Sequence, residues 1–297
     1  MITTQRGLEL PKKILVLDTE TISIEKRFIY DVGWSVMEFC EKLQKYVAIV
    51  KRQYIIKQFY ECKPLFETAY YSSKKVNYTR LLRGRKAKLK HWGHAMRRLE
   101  SDIAEHNIDS YFAYNVDFDR KAFIFSSEFL NSINPLKNLQ PYDIWTIASN
   151  IHHSEGYQNF VRSWHNKYLE DRKVYKKLSW LEKQQTKINN RHGISEAGNF
   201  VTNAEMTYAY LINDLEYVEE HTSLQDVEIE SDILNYCIDL IDTKQLTRRT
   251  GGELINANLM KSITIDLVRQ GISKKMTFNY NKRTNQTSKN TIKLERF

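Results

Sequence analysis

The sequence predicts an α/β fold, a sheet flanked by helices. Strand-like runs come first, alternation of strand and helix follows, and 297 residues with 41% hydrophobic content and only four prolines can bury a sizeable core. The first run, ILVL at residues 14–17, is short, unbroken and β-prone, as a strand covered on both faces should be. It leads directly into Asp18, Thr19 and Glu20.

Residues 28–39 and 51–61 are rich in aromatic and β-branched side chains and predict two further strands, with residues 45–49 pairing as part of a hairpin. Met96, Leu99 and Ile103 form a helical stripe. SYFAYN at 110–115 predicts a short strand, residues 118–132 a helix, and residues 141–149 a strand or a strand-to-helix passage. Residues 151–198 are polar, aromatic and charged; they predict an inserted segment, with an exposed helix over 170–193. Thr202 with Glu205 fits a capping box opening a helix over 203–214, and Thr222 with Gln225 fits a second one opening a helix to about residue 241. Gly251 and Gly252 mark a boundary, residues 257–270 predict a last helix, and the remainder is polar and basic. The expected organisation is a main domain over 1–245, with the insertion inside it. A C-terminal extension over 246–297 is expected to be accessory or partly disordered.

The formal charge is +9, unevenly spread. Residues 74–98 contain no acid, and a second basic patch lies beyond residue 271. Such patches favour polyanionic partners through counterion release, although a solvated basic face has the same composition. No run approaches a membrane span, and MITTQRGLELPKK lacks an apolar signal core, so a cytoplasmic protein without membrane association is expected. Cys40, Cys62 and Cys237 are too scattered for a disulfide scaffold or a zinc ribbon. His91 with His94, or His152, His153 and His165, lack the partners of a zinc site.

Asp18 and Glu20 are two apart on a strand and share a face, where they repel unless a proton or a cation intervenes. An isolated D-x-E also occurs in solvated loops, so further groups must decide. Asp119 falls at the start of a predicted helix, where a carboxylate is favoured by the helix dipole. His221 precedes the 222–241 helix and Asp226 lies in its opening turns. Asp117, Asp143, Glu219 and Glu220 read as surface charges or local caps.

Together these residues resemble the DEDD exonuclease superfamily. ILVLDTETI is similar to its first motif, NVDFD (Asn115 to Asp119) to its second, and His221 with Asp226 to the H-x(4)-D motif of its histidine branch. Thr222 occupies the position where the tyrosine branch has Tyr, and Ser223 departs from the Ala common in the histidine branch. The branch includes proofreading exonuclease subunits and RNA-trimming ribonucleases. The resemblance implies a ribonuclease H-like mixed sheet and 3′-to-5′ hydrolysis of single-stranded ends, DNA favoured over RNA, with two Mg2+ or Mn2+ ions per site. It further implies that Asp18, Glu20 and Asp226 hold one ion, that Asp18 and Asp119 hold the other, and that His221 is the general base. Thr19 and Phe118 would contact the substrate or pack the motif, Phe118 chiefly as a core anchor, and Asn115, counted with the substrate-binding residues, would orient the loop of the second carboxylate. The 74–98 stretch, with Arg83, Arg85 and Lys88 as its cations and Tyr78 and Trp92 interleaved, would track a single strand. Alternatives are an exoribonuclease of the same chemistry and a non-catalytic module docking to a polymerase or replication complex.

Overall fold

A computed structural model describes residues 1–3, 9–23, 27–69, 75–179 and 192–241. In chain order the described elements are β1 (Ile2–Thr3), β2 (Glu9–Leu10), β3 (Lys13–Thr21), β4 (Ile29–Cys40), β5 (Lys45–Ile56), α1 (Lys57–Tyr60), α2 (Lys63–Phe66), α3 (Lys75–Arg83) and β6 (Lys88–Lys90). They continue with α4 (Trp92–His106), β7 (Ser110–Ala113), α5 (Val116–Phe129), β8 (Gln140–Asp143), α6 (Ile144–Ile147), α7 (Ser149–His152), α8 (Glu155–Lys177), α9 (Ala204–Leu211) and α10 (Ser223–Cys237).

Six strands form one mixed sheet in the order β6-β5-β4-β3-β7-β8. β3, β4 and β5 are antiparallel neighbours, whereas β7 runs parallel to β3, β8 to β7 and β6 to β5. Leu15 and Leu17 enter one apolar core with α4 and α5, while Ile14 and Val16 enter a second with α6, α8, α9 and α10. That period-2 division explains the unbroken apolar run: helices cover both faces of the sheet. Asp18 and Glu20 continue the Ile14–Val16 face, and Thr19 continues the opposite one.

The expected strands are present with shifted bounds. Residues 45–49 do not stand apart but open the 12-residue β5, which meets β4 from Cys40↔Lys45 to Asp31↔Ile55. Residues 57–60, expected as strand, form a helical turn instead, because Phe59 leaves the ladder to stack on Phe28 at 4.9 Å. Trp34, fully buried on β4, donates its indole N–H to Asp102 of α4 at 3.0 Å, and Arg98 pairs with the same carboxylate at 2.6 Å. This buried charged junction ties β4 to α4.

The insertion differs most from expectation. Its helix, α8, begins at Glu155, where Ser154 accepts a hydrogen bond from Tyr157 N, and it ends at Lys177. Tyr157, Phe160, Val161 and Trp164 bury one stripe of it against the second core and Tyr168 is buried further along, so its first half is packed rather than solvated. The rest of the expected 170–193 helix beyond residue 179, apart from residues 192–193, lies outside the described residues. So do the expected 257–270 helix and the whole 246–297 extension.

Both expected caps fall close by with different chemistry. Asn203, not Thr202, caps α9 and accepts from Met206 N at 3.0 Å, leaving Glu205 buried in the first turn. Thr222 occupies the cap position of α10, but its side chain makes no cap bond. Asp31 of β4 does that work from a distance: its Oδ2 accepts from Ser223 N at 3.0 Å and its Oδ1 from Ser223 Oγ at 2.7 Å. Gly33, two residues on and on the same face, lets the helix start touch the strand, for a Cβ there would lie 2.5 Å from Leu224 N.

Candidate metal centre

The register of β3 on β4 sets the site. Asp18 stands opposite Gly33 and Glu20 opposite Asp31, so the two acids lie on the face where Asp31 and Gly33 seat α10. Docking the helix start there brings Asp226, in its first turn, against them. Glu20, His221 and Asp226 present ligand atoms all within 4.8 Å of one another. Asp119 arrives from the other layer, in the first turn of α5, where Thr19 Oγ1 donates to its Oδ1 at 2.7 Å. β3 thereby holds carboxylates from both helical layers around its carboxyl end.

All of these ligand groups except Asp119 border a pocket of about 420 Å³, a size within the roughly 300–1,000 Å³ of small-ligand sites. Asp18, Glu20, Glu219, Asp226 and Glu230 line it along with His221, and no Lys or Arg does among the described residues. Burial, reinforced by Asp119, Glu219 and Asp31, raises the Asp18 carboxyl well above the usual range. Burial likewise pushes Asp119 up to about 7, against the stabilising bond from Thr19. Asp226 is raised by burial, by Glu219, Asp18 and Glu20, and by a side-chain hydrogen bond with Glu219. Glu230 is raised by burial, then by Asp18 and Asp119.

Three buried oxygens here, Asp18 Oδ2, Asp226 Oδ1 and Glu230 Oε2, have no hydrogen-bond partner. Buried carboxylates without partners are costly and crowding them multiplies the cost, so the donor set fits a cation. Oxygen-rich sites suit hard divalent ions. A second cluster, Glu205, Glu219 and His221, also has ligand atoms within 4.8 Å of one another. The scattered histidines His91, His94, His152, His153 and His165 belong to neither cluster.

His221 is buried, in the left-handed conformation (φ 50°), with Nδ1 3.2 Å from Glu219 Oε2. Its backbone carbonyl accepts from Tyr78 Oη at 3.2 Å. Glu219, expected at the surface, is thus a buried member of the site; Glu205, whose Oε1 accepts from Glu219 N at 2.9 Å, fixes that segment. Asp143, expected as a surface charge or a local cap, is a cap, accepting from Trp145 N and from Asn115 N, each at 3.0 Å.

The remaining expected residues lie outside the pocket. Asn115 is exposed, and its φ of 61° turns the chain from β7 into α5. Phe118 is half-buried with the Arg27 guanidinium 5.5 Å from its ring centroid, so it is not a core anchor; Val116, Ala122 and Phe123 serve that role in α5. Arg83, Arg85 and Lys88 are exposed on and after α3. Tyr78 and Trp92 are fully buried and cannot stack on bases, which corrects the expectation for them. Trp92 instead extends the Met96–Leu99 stripe of α4.

Fold and site together define an α/β protein carrying two side-chain clusters able to hold a metal ion, and among its described residues no helix is long and apolar enough to cross a membrane. No protein-family model, curated protein or solved structure matches the chain, so the functional reading stands on this geometry.

Proposed function

We propose that the protein is a metal-dependent 3′-to-5′ exonuclease of the histidine branch of the DEDD superfamily, acting on single-stranded DNA ends. The observation that carries this reading is the meeting of Asp18 and Glu20 from β3 with Asp226 of α10 and His221 just before that helix, and of Thr19 with Asp119 from α5. The mixed sheet, antiparallel on the β4–β5 side and parallel on the β7–β8 side, supports the ribonuclease H-like assignment.

In this reading Asp18, Glu20 and Asp226 hold one Mg2+ or Mn2+ ion, and Asp18 with Asp119 holds the second. Such ions, when bound, neutralise the phosphate and align the attacking and leaving oxygens. Thr19 fixes the rotamer of Asp119. Glu219 holds Nδ1 of His221, orienting the imidazole to take a proton from the attacking water at Nε2. The α3 helix abuts this segment through Tyr78 and through the 3.4 Å Arg80–Glu220 pair; in this reading Arg83, three residues after Arg80, and its basic neighbours carry the strand's phosphates.

The test is a time course on end-labelled single-stranded DNA and RNA, with and without magnesium. Magnesium-dependent release of nucleoside monophosphates from the 3′ end of DNA, lost in Asp18→Ala, is expected. Tight binding without release would overturn the enzyme in favour of a docking module, and turnover of RNA alone would reassign the substrate.

A further inference from the structure

The exonuclease reading leaves one pocket carboxylate without a task. Glu230 follows Asp226 by four residues in α10, so both side chains leave the same face of the helix. It lines the pocket and is 2% exposed, yet its Oε2 is buried without a hydrogen-bond partner. A backbone hydrogen bond at Tyr114 offsets part of its charge, but the neighbouring charges that act on it, Asp18, Asp119 and Glu219, are all acidic.

A residue needed only to fill this space would be better served by glutamine or methionine, which carry no charge to desolvate. A carboxylate becomes favourable there once a cation neutralises the group. Glu20, Asp226 and His221 gather ligand atoms within 4.8 Å of one another, and Glu230 lines the same pocket along with Asp18 and Asp226.

We propose that Glu230 is a fifth carboxylate ligand of the centre. This rests on the exonuclease reading and extends it: four carboxylate ligands become five. A further anionic donor raises the affinity for a divalent ion before substrate phosphate arrives.

Calorimetric titration of Mn2+ into the full-length chain and into Glu230→Gln tests it, with thermal unfolding in EDTA alongside. Wild type should take up two equivalents; Glu230→Gln should bind at least one of them tenfold or more less tightly, and unfold in EDTA no lower than wild type. Two equivalents at wild-type affinity in Glu230→Gln overturn the inference alone, whereas no uptake by wild type removes the metal centre and the exonuclease reading with it. A Glu230→Gln chain that is unfolded, or less stable than wild type in EDTA, marks Glu230 as structural and also overturns the proposal.

Discussion

Gly33→Ala tests how the site is assembled without touching a ligand. The new Cβ would lie 2.5 Å from Leu224 N, 2.6 Å from Ser223 C and 2.8 Å from Leu224 Cα. All three are backbone atoms, so no side chain can swing aside, and the start of α10 must retreat by about 1 Å to restore ordinary contact. Overpacking of this kind costs roughly 1–3 kcal/mol, which corresponds to a melting point lower by about 2–12 °C for a domain of this size. The same shift carries Asp226 away from Glu20 and Asp18 and strains the Asp31 cap. Thermal unfolding in EDTA and in excess Mn2+ separates the two effects, since an ion at about a hundred times its Kd adds roughly 2.7 kcal/mol of stability. The variant should melt lower in EDTA and gain less from Mn2+ than wild type. Gly198→Ala is the control: its φ of 81° makes alanine strained, nothing lies within 4 Å, and the Mn2+ increment should stay intact. A Gly33→Ala protein with wild-type melting and the full Mn2+ increment would refute the seating of α10 on β4 as the device that builds the centre.

Three other outcomes are expected. His221→Ala should cut single-strand cleavage by about 10²- to 10⁴-fold while the protein still binds Mn2+; a wild-type rate at saturating magnesium would reject its role as base. Reversing the charges of Arg83, Arg85 and Lys88 together should weaken strand binding and flatten its salt dependence, and an unchanged slope would remove this surface from the strand's path. His152, packed against Tyr114 and Thr207, is lowered to about 4 by burial and by neighbouring His153. Its folded value lies below the unfolded 6.5, so the stability linked to its neutral form is complete above pH 6.5 and is lost as pH falls toward 4. The loss is of the order of 3 kcal/mol, and the stability advantage of wild type over His152→Gln in EDTA should shrink by that amount from pH 7 to pH 4. A constant difference would show that the imidazole is not held neutral.

Much of this site is legible in residue spacing. Period 2 puts Asp18 and Glu20 on one face, and the helix starts place Asp119 and Asp226 in first turns. Glu230 was legible too, being four residues from Asp226 on a helix. The apolar stripe of α8, at 157, 160, 161, 164 and 168, obeys the same rule, though its charged flanks conceal it. Trp92 carries the α4 stripe one turn back from Met96, which marks it as core rather than as a stacking platform.

What spacing does not reveal is register and long-range partnership. That Asp31 caps a helix 192 residues away, or that Gly33 stands opposite Asp18, depends on how β4 slides against β3. Glu219 read as a surface charge because acids are rarely buried. Only the folded chain shows His221, Glu205 and Asp226 around it. Thr222 marked the start of α10 correctly by position, while the acceptor for that helix came from another strand.

The most direct measurement is the anomalous difference density of a crystal soaked in Mn2+. Two peaks are expected around the carboxyl end of β3, one by Glu20 and Asp226, the other between Asp18 and Asp119. Density at neither place, with manganese bound elsewhere or not at all, would contradict the account.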